Sequence, residues 1–141
     1  MIKFYYNTSP NPMKIALCLE EMNLSYEAIP IDTRKGQQHS PSYKAINPNA
    51  KAPAIEDGGH VVFDSNAILL YLAEKYGKFI TENTPKNRAY LLSWLMFVAT
   101  GIGPYSGQSV HFQHMAPQKS DYAINRYPVS YTHLRAHETY P

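Results

Sequence analysis

The first 32 residues change their hydrophobic period twice, and no other feature of the chain restricts its fold as strongly. IKFYY, from Ile2 to Tyr6, is a run of β-forming residues and predicts a strand. NTSPNPMK, from Asn7 to Lys14, ends that strand with polar side chains and two prolines. Ile15, Cys18, Leu19 and Met22 then recur at i, i+3, i+4 and i+7, the spacing of a helix with one apolar face. Asn11 is the expected N-cap of that helix, and Pro12 suits its first turn because a proline has no N–H to leave unpaired there. SYEAIPID, from Ser25 to Asp32, reads as a second strand. A strand, a helix and a strand in this span fit the parallel crossover unit, which needs a connection of a dozen or more residues.

The pattern continues with the polar stretch TRKGQQHSPS, a short helix at YKAI, and the proline-punctuated NPNAKAPAIED. PAIED and HVVFD flank Gly58 and Gly59, which predicts a hairpin with a tight glycine turn. Asp64 and Ser65 then cap a helical run in which Ile68, Leu69, Leu72 and Tyr76 share a face until Gly77 stops it. The order is β-α-β-α-β-β-α over residues 1–77, an α/β thioredoxin-like domain with helices on both faces of a mixed sheet. Residues 78–87, KFITENTPKN, read as a linker. From residue 88 a long apolar helix loosened by Gly101, Gly103, Pro104 and Gly107, followed by DYAINRY, predicts the truncated start of an all-α domain, 88–128.

Composition narrows the class. Of the 141 residues 44% are hydrophobic and 17% charged, which suits a chain with a packed core. A net charge of +2 with scattered Lys and Arg argues against a nucleic-acid partner. Cys18 is the lone cysteine, so no internal disulfide framework exists, and a reducing, cytoplasmic compartment is expected. No stretch approaches the ~20 apolar residues of a membrane span, so no membrane partner is expected. VSYTHLRAHET, from Val129 to Thr139, resembles one translated frame of a widely used sequencing adapter. Residues 129–141 are therefore set apart as a non-native tail. His133 and His137, spaced like metal ligands within it, support no metal site.

Three segments, YYNTSPNPMKIALCLEE, NPNAKAPAI and FDSNAILLYLAEKYG, resemble the N-terminal glutathione-binding domain of the cytosolic glutathione transferases. The likeness is strongest to the bacterial Nu class, disulfide-bond oxidoreductases similar to the yeast Ure2-like group. GIGPYSGQ, HFQHMAPQ and YAINRY extend the resemblance into the helical part, over residues 1–127 in all. It implies a glutathione-transferase C-terminal domain after the linker and glutathione as co-substrate, with no metal. It also implies a small electrophile or disulfide as second substrate, and a homodimer when the chain is full-length. The activity implied is glutathione-dependent disulfide reduction with possible conjugation to electrophiles. The alternative is a non-catalytic protein-interaction module on the same fold.

Glutathione carries two carboxylates, an ammonium and a thiol that reacts only as thiolate. Lowering a thiol from about 8.5 to about 6.5 takes about 2.7 kcal/mol of preference for the anion. A helix N-terminus supplies about 0.3–2 kcal/mol and a hydrogen bond to a charged group about 1.5–3 kcal/mol. Thr8, Ser9 and Asn11 place hydroxyl and amide donors at such a terminus. The resemblance puts Ser9 near the sulfur and Asn11 in contact with glutathione, which makes these two the catalytic candidates. Ending a strand and capping a helix would account for the same residues.

Ala52-Pro53 matches the family's cis-proline position, where Ala52's backbone could pair with an extended peptide; an ordinary trans proline at a strand start is the alternative. Asp64 and Ser65 suit the γ-glutamyl end, the hydroxyl and first-turn N–H groups taking its carboxylate and Asp64 its ammonium; a plain cap uses the same groups. Gln38 and Lys51 match positions near the glycyl or backbone part of glutathione, though a solvated loop explains both. Arg126 matches an arginine that reaches glutathione across a dimer, and an exposed helix charge is its plainer reading. Tyr5 and Tyr6 lie in a strand and Cys18 on an apolar helix face, so the tyrosine and cysteine chemistries of other classes are not expected. Without a C-x-x-C, disulfide chemistry would run on glutathione's own sulfurs. His111 and His114 are read as surface polar residues rather than metal ligands.

Overall fold

The structure, a computed structural model, describes residues 1–127. The proposed tail, with His133 and His137, lies outside the described residues. The chain divides into two compact units, Met1–Ile80 and Thr81–Pro141.

In the first unit β1 (Ile2–Tyr6) leads through α1 (Pro10–Glu21) to β2 (Tyr26–Pro30). A 3-10 turn at Gln37–His39 and α2 (Pro41–Ile46) precede β3 (Ala54–Asp57), β4 (His60–Phe63) and α3 (Ser65–Tyr76). The four-stranded sheet has the order β2-β1-β3-β4. β1 and β2 are parallel, and β1 with β3 and β3 with β4 antiparallel. This is the thioredoxin-like arrangement. Alternation along β1 separates the two faces: Ile2 and Phe4 join Ile15, Leu19, Met22, Ile55, Ile68 and Leu72 in the main core, whereas Tyr5 packs with Tyr43 and Ala54. α1 and α3 therefore cover one face and α2 the other.

The hairpin between β3 and β4 turns through Gly58 and Gly59 at φ 58° and 86°. Two successive left-handed residues are what a two-residue hairpin turn of matching twist requires, and glycine adopts them without steric cost. α3 stops at Gly77, also left-handed. At the far end of β3, Asp57 is buried and accepts hydrogen bonds from Lys75 Nζ and, at 3.0 Å, from the Tyr71 hydroxyl. Burial opposes ionisation of Asp57, but the bonds from Lys75 and Tyr71 outweigh it and hold the carboxyl below its usual value. A carboxylate with a depressed folded pKa stabilises above the unfolded value of about 3.9, and that contribution disappears as pH falls through the folded value. Asp57→Asn is thus expected to flatten the acid side of the stability profile while changing little of its shape near neutrality. Urea midpoints taken across acidic pH check this; an acid limb as steep as the parent's would contradict it.

One boundary needs correction. α1 begins at Pro10 with Ser9 as N-cap, two residues before the expected start, and Asn11 lies inside the first turn. Both prolines fit a first turn, but the Asn7 side chain accepts the Ser9 N–H at 3.0 Å and turns the backbone at Ser9.

Among the described residues of the second unit the regular elements are all helical. α4 (Pro85–Phe97) starts within the stretch read as a linker, because Thr84 accepts the Asn87 N–H at 3.2 Å and Pro85 opens the helix. A π-helical turn at Val98–Ile102 passes into α5 (Gly103–Val110), and a second at His111–Met115 follows it. α6 (Asp121–Arg126) comes after. The glycines and Pro104 thus widen the helix without ending it; Pro104, lacking an N–H, sits in the first turn of α5.

Candidate functional site

Strand register gathers the candidate segments at one end of the sheet. Tyr5 of β1 pairs with Ala54, and Ala54 with Phe63. The residues just beyond, Asn7 to Asn11 after β1, Ala52 and Pro53 before β3, and Asp64 and Ser65 after β4, therefore emerge side by side. β2 is parallel to β1, with Tyr6 opposite Pro30, so the loop from Ile31 to His39 leaves the sheet at this same end.

At the tip of α1, Pro10 and Pro12 have no N–H and the Met13 N–H goes to the Ser9 carbonyl at 3.3 Å. The Asn11 N–H is the first-turn donor left over. The Ser65 hydroxyl donates to Asn11 Oδ1 at 3.5 Å, at the long limit of a hydrogen bond, and the amide nitrogen is the donor end of that side chain. Three residues along the helix, Lys14 donates to Asn66 Oδ1 at 3.1 Å, a second link between the starts of α1 and α3. Burial lowers the Lys14 pKa, and the carboxylate of Asp64 partly offsets it. The first turn of α1, where the helix dipole is positive, thus carries the Asn11 N–H and side-chain amide, with the half-buried Lys14 three residues on.

Asp64 is the N-cap of α3 at φ 72°, its Oδ1 accepting the Asn66 N–H at 2.9 Å and the Ala67 N–H at 3.3 Å. The Ile68 N–H binds the Asp64 carbonyl and the Ser65 hydroxyl donates to Asn11, which leaves the Ser65 N–H as the first-turn donor. Ser65 itself is buried. Ala52-Pro53 is a cis peptide. The carbonyl of Lys51 is held from behind by the Tyr43 hydroxyl at 2.8 Å and Asn47 Nδ2 at 2.5 Å, and burial pushes the Tyr43 phenol up to about 12, so it remains a donor. The side chain of Lys51 is exposed.

Asn7 is the residue that sequence reasoning missed. Its Oδ1 accepts the Ser9 N–H and, at 2.6 Å, the Ser9 hydroxyl, while its Nδ2 donates to Thr33 Oγ1 at 3.3 Å. Gln38 Nε2 donates to the Thr33 carbonyl at 3.3 Å, so Ser9 and Gln38 are tied through Asn7 and Thr33. The side-chain oxygen of Gln38 is buried without a partner among the described residues. Thr8 is exposed beside this network. The Asn-x-Ser spacing is an Asx-turn signal that could have revealed Asn7, and Lys14 stands one helical turn after Asn11.

Other candidates fall elsewhere. Tyr5 donates to Glu56 Oε2 at 3.4 Å, and Tyr6 stacks on Phe4 with ring centres 5.5 Å apart. Cys18 is half-buried, its sulfur 3.9 Å from that of Met22, and burial pushes its thiol pKa up. Arg126 belongs to the second unit, its guanidinium carbon 5.9 Å from the centre of the Tyr105 ring. Among the described residues no group of three or more His, Cys, Asp or Glu side chains could hold a metal ion, and no helix is long and apolar enough to cross a membrane.

A family model described as the glutathione S-transferase N-terminal domain matches residues 1–74. The chain is 48% identical over 136 residues to the disulfide-bond oxidoreductase YfcG of Escherichia coli, covering 92% of this chain and 63% of that protein. It is 36% identical over 132 residues to the protein URE2 of Eremothecium gossypii, covering 88% of this chain and 37% of that one. Among solved structures, Ure2p in complex with glutathione superposes with a TM-score of 0.88 at 29% identity, over 96% of this chain and 60% of that one. A glutathione transferase family member from Pseudomonas fluorescens with two glutathione molecules bound gives 0.88 at 34% identity, over 96% of this chain and 63% of that one.

Proposed function

Because the chain belongs to the glutathione S-transferase family, we propose that it binds glutathione at the shared end of β1, β3 and β4 and uses it, as thiolate, to reduce disulfides. The observation that carries this reading is the bond from the Ser65 hydroxyl to Asn11 Oδ1, which joins the starts of α3 and α1 at the positive end of α1. In the proposed site Asn11 and Ser9 face the sulfur. Ser65 holds the γ-glutamyl carboxylate, and the second oxygen of Asp64 its ammonium. Ala52 pairs with the peptide backbone, and Gln38 and Lys51 meet the glycyl end, with Thr8 at the mouth. A homodimer, in which Arg126 of the partner subunit closes each site, is part of the proposal.

The chemistry needs no protein thiol. A glutathione thiolate attacks a substrate disulfide, forming one S–S bond and expelling the other sulfur as a thiolate that takes a proton from water. A second glutathione attacks the mixed disulfide, releasing the remaining substrate thiol and glutathione disulfide. Two electrons pass from two glutathiones to one disulfide. The same thiolate could conjugate an electrophile.

The similarity to disulfide-bond oxidoreductases favours reduction over conjugation as the main activity. The test is a paired assay on the protein, with a small symmetrical disulfide in one arm and an aryl halide in the other, glutathione being common to both. Turnover in the disulfide arm supports the proposal. Glutathione binding without turnover in either arm would leave the interaction-module reading in its place.

A further inference from the structure

Ser9 has one hydroxyl proton, and the structure shows where it goes. The Ser9 N–H points at the same Asn7 side-chain atom as the Ser9 hydroxyl, at 3.0 Å and 2.6 Å. An N–H can only donate, so that atom is the amide oxygen and the amide nitrogen is the one at Thr33. The hydroxyl is therefore the donor in the shorter bond. A hydroxyl has a single hydrogen, so while it serves Asn7 it presents only lone pairs to anything on its other side. Lone pairs stabilise a neutral S–H, which can donate to them, and repel a thiolate.

We infer that Asn7 is a positioning residue that competes with glutathione for the Ser9 hydroxyl proton, and so sets how acidic the bound thiol becomes. The inference rests on the glutathione-binding reading above. When the thiol loses its proton to water, the Ser9 O–H rotates from Asn7 Oδ1 to the sulfur, no proton passing between the two side chains. Asn7 Oδ1 keeps the Ser9 N–H and holds the residue in place. Thr33 fixes the Asn7 amide and Gln38 holds Thr33, which orients the competitor from behind. The effect has an unusual sign, for removing a residue that supports the site improves its electrostatics.

The probe is reduced glutathione, its bound thiolate followed by ultraviolet absorbance across pH, with occupancy fixed by calorimetry. Asn7→Ala frees the hydroxyl and is expected to raise the thiolate fraction at a pH below the bound pKa by up to about tenfold, the equivalent of one pKa unit. Asn7→Leu, which keeps the side-chain volume without an acceptor, should do the same and covers the case in which the alanine variant folds poorly. Ser9→Ala should lower the fraction, and adding Asn7→Ala to it should restore less than Asn7→Ala gains alone. A fall in thiolate fraction for both Asn7 variants, as a merely supporting residue would give, overturns the inference. So does an equal gain with and without the Ser9 hydroxyl. Absence of glutathione binding in the unsubstituted protein would instead remove the proposed function, and this inference with it.

Discussion

Asn11→Ala is expected to lower the thiolate fraction of bound glutathione by about 10- to 100-fold at a pH below its pKa. That range corresponds to the loss of one hydrogen bond to a charged group, about 1.5–3 kcal/mol. The side chain is exposed and its Oδ1 contact with Ser65 is long, so little packing is lost with it. Alanine is also the better helix former at an exposed helical position. The chemical effect should therefore appear without a fall in stability. The backbone N–H at residue 11 and the helix dipole remain in the variant, so some acidification persists. Thiolate absorbance and a denaturant melt on the same preparation separate the two quantities. A bound thiolate unchanged in pH dependence would remove Asn11 from the site.

Phe4→Ala should have the largest effect on folding. Phe4 is 1% exposed, stacks on Tyr6 at 5.5 Å and meets the edge of Tyr26 at 5.9 Å, with Ile55 opposite it on β3. Truncating a buried Phe costs about 3–5 kcal/mol through lost burial and the cavity left behind. A domain holds only about 5–15 kcal/mol in total, so the variant is expected to lose a large share of its stability and melt well over 10 °C lower. β1 carries Asn7 to Asn11 at its end, and glutathione should partly rescue the variant by binding the folded form. A loss below about 1 kcal/mol in urea titration would mean that this face of the sheet is not packed as described.

Short-range signals carried much of this fold. Ile15, Leu19 and Met22 announce α1 by spacing alone, and all three are buried. Gly58 and Gly59 announce the hairpin, since few other residues accept two positive φ values in a row. The N-terminus of α1 was misplaced for a local reason: Pro10 and Pro12 are both acceptable in a first turn, and only the Asn7 side-chain contact selects Ser9 as the cap. The Thr84-Pro85 signal for α4 was present but lay in a stretch whose lack of apolar period hid it.

The site was less legible because it is made by contacts distant in sequence. Lys14 meets Asn66 across 52 positions and Ser65 meets Asn11 across 54, so neither contact exists until α1 and α3 share a sheet face. A cation on a polar helix face reads as solvated until α3 half-buries it. The isomer at Ala52-Pro53 was not readable from the dipeptide, since both forms are accessible to an X-Pro bond; the family resemblance supplied it.

The most direct test of the account is the affinity for reduced glutathione, measured by calorimetry between pH 6 and 8. If the first turn of α1 selects the anion, binding releases the thiol proton, and affinity must rise with pH between the bound and free pKa values, approaching tenfold per unit. An S-methylated glutathione, which has no proton to lose, should show no such rise. Equal, pH-independent affinity for the two would mean that the protein holds the peptide and leaves the sulfur alone, and would contradict the account at its centre.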